Sequence, residues 1–130
     1  MKVMMLTKLS EDPAKMVAPT PEAINAMHAY NEALIAAGIL QEQAYGGLMP
    51  TSFAKRLQFT GKNLSVTDGP FTETKEVLAG FALWEVESIE EALEWARKCP
   101  VMMDCTVELR PLFSPEMFDP RQDAHAASGR

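Results

Sequence analysis

An α+β fold of the ferredoxin-like type, a split βαβ arrangement with an inserted β-hairpin, is what the sequence predicts, on three observations. Two helices with marked ends lie far apart in the chain. Extended segments flank them in the order strand, helix, strands, strand, helix, strand. In the middle, two alternating segments face each other across Gly61-Lys62-Asn63. The 130 residues make one domain, and 47% hydrophobic against 23% charged residues provide a core without staples, which excludes disorder of the whole. The domain is expected over residues 1–113, with a polar tail over 114–130 whose last ten residues are mobile.

The first element is Lys2-Val3-Met4-Met5-Leu6-Thr7, apolar at successive positions and too short for a helix, hence a buried strand. Thr20-Pro21-Glu22 then opens a helix: a capping hydroxyl, proline at the first position and an acid near the positive end of the dipole. That helix runs to Ala37 and stops at Gly38. Its expected core face carries Ile24, Met27, Asn31, Leu34 and Ile35, with His28 at the edge. Ile39-Leu40 leads into an extended stretch ending in Gly46-Gly47-Leu48-Met49-Pro50. Arg56–Thr60 and Leu64–Thr67 form the hairpin, with one face solvated. Asp68-Gly69-Pro70-Phe71 is a turn. Val77–Val86 is the most apolar run and a central strand. Ser88-Ile89-Glu90-Glu91 is a capping box opening a second helix with Ile89, Ala92, Leu93 and Ala96 on its inner face. The last strand is Asp104–Arg110, ended by Pro111.

Composition narrows the function classes. Twelve basic against eighteen acidic residues give a net charge of −6, the wrong sign for a phosphate-binding surface, so nucleic acid is excluded as a partner. No apolar run reaches the ~20 residues of a membrane span, and the N-terminal apolar segment is too short for a secretory signal. A cytoplasmic location is expected. Cys99 and Cys105 lack the companions of a structural zinc site and are expected to pack as small thiols, so no metal and no cofactor are expected. In the Val77–Val86 strand both alternating faces are apolar, and two helices cover only one. The second face calls for a copy of the same chain, hence a homodimer.

The segment Asp68-Gly69-Pro70-Phe71-Thr72-Glu73-Thr74-Lys75-Glu76, continuing to Ala79-Gly80-Phe81, resembles the DGPF-type branch of the YCII-related family. Pro21-Glu22, Ala37-Gly38, Gly47-Leu48 with Pro50, Ala92-Leu93-Glu94-Trp95-Ala96, Pro100 and Val107-Glu108-Leu109-Arg110-Pro111 stand in the family's order, so the resemblance covers roughly residues 1–112. It implies a dimeric α+β barrel with no established general activity. Broader relatives include small enzymes with a His-Asp pair, and proteins of this branch are associated with sigma-factor-type transcription systems. No aspartate stands near His28 in sequence, so that pair does not transfer directly.

The candidate chemistry follows from residue type. His28 has the side chain suited to acid–base work near neutrality, with Asp68 or Glu76 as its carboxylate partner. Asn31, one turn further on, is a pocket-lining polar group, or an interhelix hydrogen-bonding one. Lys75 between carboxylates, and Arg110 with its planar fork, can hold a small anionic ligand. Arg110 can equally pair with Glu108. Three readings stand: a cofactor-free acid/base enzyme, a ligand-binding module with the same pocket, and a regulatory protein that docks a sigma-factor-type component through the charged loop.

Overall fold

The computed structural model describes residues 1–71, 76–101 and 103–118, apart from the side chain of Ala14. Its elements are β1 (Lys2–Ser10), α1 (Pro21–Ala36), β2 (Leu40–Gly47), β3 (Lys55–Thr60), β4 (Asn63–Asp68), β5 (Glu76–Glu85), α2 (Ile89–Arg97) and β6 (Thr106–Pro111). Short 3-10 turns cover Pro13–Lys15, Thr51–Phe53 and Pro115–Phe118. The expected mobile tail lies, beyond Phe118, outside the described residues.

Four strands form one antiparallel sheet in the order β2-β5-β1-β6, while β3 and β4 form a separate two-stranded ribbon. Leaving the ribbon aside, this is the ferredoxin-like order, in which each helical crossover skips one strand. The α+β class and the inserted hairpin follow the sequence expectation.

Helix ends obey local chemistry. The Thr20 hydroxyl accepts the Ala23 N–H at 3.1 Å and Pro21 occupies the first turn. Gly38 turns the chain out at φ 76°, a conformation that disfavours side chains. At α2 the Ser88 hydroxyl accepts the Glu91 N–H at 3.1 Å, and Glu91 reaches back to the Glu87 N–H at 2.8 Å, one residue beyond the usual partner. Both helices cover the sheet face that carries Val3 and Trp84, which pair across β1 and β5. Trp84, Leu34 and Val3 are fully buried there, with Leu40 and Ala92 beside them.

Three expectations about faces need correction. In α1 the buried residues are Tyr30 and Leu34, whereas Ile24 and Met27 are exposed. In α2 Ala92 is buried with Trp95 and Ala96 packed against the core, while Leu93 is exposed. The ribbon, expected to have one solvated face, is exposed on both. Leu57, Phe59, Leu64 and Val66 share one side by register and are 52–74% exposed. Among the described residues nothing packs over that side, and the ribbon meets the domain at its base. Among the described residues no helix is long and apolar enough to cross a membrane.

Candidate functional site

A cavity of about 500 Å³ opens between the N-terminal half of α1 and the sheet. It exists because the strands beneath present little volume: Gly46 and Gly47 of β2 and Ala79, Gly80 and Ala82 of β5 form its floor. Farther along α1, Tyr30 and Leu34 reach down and close the gap against the core. Met5, Thr7 and Leu9 of β1 supply one wall, and Cys99, Pro100, Val101, Met103 and Cys105, after α2, close an end. Ile24 and Met27, misread as core, are its rim.

Among the described residues no charged side chain lines this space. Thr7, Asn31 and Tyr45 line it with side chains that have no hydrogen-bond partner among the described residues, and the buried indole N–H of Trp84 likewise finds no acceptor there. Tyr30 donates to the Trp95 carbonyl at 2.7 Å, tying α1 to the end of α2. Burial, and then the neighbouring Cys99, push its phenol well above the ordinary tyrosine range. Burial likewise raises the Cys99 thiol, helped by Cys105, and raises Cys105, helped by Glu76 and Asp104. All three ionisable groups are therefore neutral near pH 7.

Of the residues expected to form the site, only Asn31 lines this cavity. His28 is exposed on α1 and does not look between helix and sheet, contrary to expectation. At ~100° per residue it stands roughly 160° around the helix from Tyr30, the residue that faces inward. Arg110 lies on the opposite face of the sheet by alternation from Val107, which lines the cavity. It pairs there with Glu108, which also accepts from Lys8 at 3.1 Å. Lys8 and then Arg110 hold the Glu108 carboxyl below its ordinary range. Glu76 borders a second cavity of about 600 Å³ with Lys15 and Asp104, and accepts the Thr106 hydroxyl at 2.6 Å. Met103 and Cys105 line both spaces. Lys75 lies outside the described residues.

Asp68 stands on the ribbon, away from both cavities. It pairs with Lys55 at 2.7 Å across the β3–β4 ladder, an exposed pair of small energetic weight. The Gly69 N–H donates to the Ala54 carbonyl at 2.8 Å, and a Cβ on Gly69 would overlap the Thr51 carbonyl oxygen. Phe71 lies beneath the Arg56 guanidinium, 3.8 Å from ring centre to carbon. The Asp68–Phe71 motif thus clasps the base of the ribbon.

Sequence reasoning passed over Thr7 and the small-residue floor. The readable signal was Gly80 and Ala82 two apart on an otherwise bulky strand, which leaves one face of it hollow. Among the described residues no cluster of three or more His, Cys, Asp or Glu side chains is placed to hold a metal ion.

A YCII-related domain model matches residues 1–116, nearly the whole described chain. The chain belongs to the YCII-related family. An uncharacterized protein of Rhizobium meliloti (strain 1021) is 43% identical over 67 residues, half of this chain. The chain spans about half the length of that curated relative, 54%.

Proposed function

We propose that this YCII-related protein is a homodimeric small-molecule-binding module of the DGPF-type branch, with one ligand site per chain beneath α1. The observation that carries this is the cavity of about 500 Å³, a size usual for small-molecule sites. Binding is favoured over acid/base catalysis because the ionisable groups among its described lining residues, Tyr30, Cys99 and Cys105, are held protonated, so none of these is a general base at neutral pH. The Asp68–Phe71 motif supports the branch. Two unpaired cysteines are compatible with a reducing, cytoplasmic compartment.

The dimer is supported by the sheet face turned away from the helices. Met4, Leu6, Phe81 and Leu83 meet there at the centre of β1 and β5, with neither helix over them. A second copy placing the same face against it buries both.

Gly80→Val tests the site. A Cβ at Gly80 meets its nearest atoms at 3.4 and 3.8 Å, ordinary contacts, so the backbone tolerates the change while the side chain fills the floor. In a thermal-shift metabolite screen, compounds that stabilise the wild type are expected to leave Gly80→Val unmoved and to stabilise His28→Ala fully. Equal stabilisation of wild type and Gly80→Val places the ligand elsewhere. Loss of binding in His28→Ala returns the histidine to the site.

A further inference from the structure

We propose that the cavity beneath α1 takes an uncharged molecule: an aromatic or aliphatic body ending in one hydrogen-bonding head, such as an amide, alcohol or carbonyl, held by Asn31. The inference rests on the ligand-binding reading of that cavity and names the chemical class it admits.

Charge selects first. An anion was the expectation while Lys75 and Arg110 were the candidate clamps. Arg110 lies across the sheet, already paired with Glu108, and among the described residues none that lines the cavity carries a charge. A charge moved from water into such a space finds no counter-ion, and an unpaired buried charge costs several kcal/mol. Tyr30 cannot offer an anion or a free proton to a charged guest, since its hydroxyl is committed to Trp95.

Shape and hydrogen bonding then specify the rest. Glycine and alanine in the floor, with Met5, Leu9, Ile24 and Met27 around it, give a flat apolar bed suited to a ring or chain. Asn31 is half-buried at the wall, and its amide, which both donates and accepts, has no partner among the described residues. A head that pairs with that amide adds a directional hydrogen bond, worth about 0.5–1.5 kcal/mol, to the apolar contact.

The test uses two fluorescent probes of the same body, neutral N-phenylnaphthylamine and its anionic sulfonate, titrated into the full chain. Wild type is expected to bind the neutral probe at least about tenfold more tightly than the sulfonate. Gly80→Val is expected to lose the neutral probe's binding by at least about tenfold. Ala23→Trp, which fills the cavity from the α1 side, serves as the second variant should Gly80→Val not fold. Competition by a neutral amide, with its advantage over the matching hydrocarbon lost in Asn31→Leu, supports the head-group assignment. An unchanged advantage in Asn31→Leu overturns it. Sulfonate binding as tight as neutral, and lost in the filled variants, overturns the ligand class but leaves the site in place. Neutral-probe binding that is indifferent to both filled variants overturns the site itself.

Discussion

Glu11 accepts two hydrogen bonds from Thr51, one from its backbone N–H at 2.7 Å and one from its hydroxyl at 2.6 Å. The pair fixes the Thr51–Phe53 turn against the end of β1, and the clasp at Gly69 packs on that same turn. The Thr51 hydroxyl first, then its N–H, hold the Glu11 carboxyl below its ordinary value. A group with a depressed folded pKa stabilises fully above its unfolded value, near ~4.3, and loses that contribution as pH falls through the lowered folded value. Thermal midpoints measured from pH 7 downwards should show Glu11→Gln below wild type at neutral pH, with the gap closing below about pH 4. A gap independent of pH would mean that the charge of Glu11 is irrelevant.

Gly69→Ala should destabilise by about 1–3 kcal/mol or more, because the new Cβ overlaps backbone of the Thr51 turn, which cannot rotate away. Gly80→Ala is the control, since its Cβ would sit in ordinary contact. Urea titration of the two variants should separate them clearly. Equal midpoints would show that the ribbon base shifts at no cost.

Tyr30→Phe removes the hydroxyl that reaches the Trp95 carbonyl. That carbonyl keeps the Lys98 N–H at 3.1 Å, so no buried acceptor is orphaned and the cost should be modest, about 0.5–1.5 kcal/mol. The expected record is a lower urea midpoint with an unchanged slope. A changed slope would mean that α1 has left the sheet.

Leu6→Lys places a charge at the centre of the far sheet face, between Phe81 and Glu108 in register. Sedimentation at micromolar concentration should find the wild type as a pair and this variant as a single chain, with circular dichroism unchanged. A single-chain mass for the wild type would remove the dimer altogether.

Much of the fold was legible because its signals are local. Thr20-Pro21, Gly38 and Ser88 with Glu91 fix helix ends within a turn of themselves, and the element order leaves few ways to arrange four strands. The site was less legible because it depends on rotation and sidedness. Helical period groups Ile24, Met27, Asn31, Leu34 and Ile35 but says nothing of the floor beneath them, where Gly80 and Ala82 leave the first turns of α1 unsupported. A turn of α1 by about 60°, less than one position, separates a face led by Met27 from one led by Tyr30, and it carries His28 out to solvent. Whether Arg110 or Val107 meets the cavity depends on which sheet face the helices choose, a long-range decision that alternation in β6 cannot make.

The place of β1 in the sheet has a kinetic meaning. Val3 lies between Trp84 on one side and Pro111 on the other, so the first strand made has its partners among the last. Neither ladder can close until a large loop of chain has been brought together, and loops of that span are slow to close. Early in synthesis only α1 and the β3–β4 ribbon can form from neighbours in sequence. Both expose apolar side chains, so the nascent chain is most open to wrong partners just before β6 arrives.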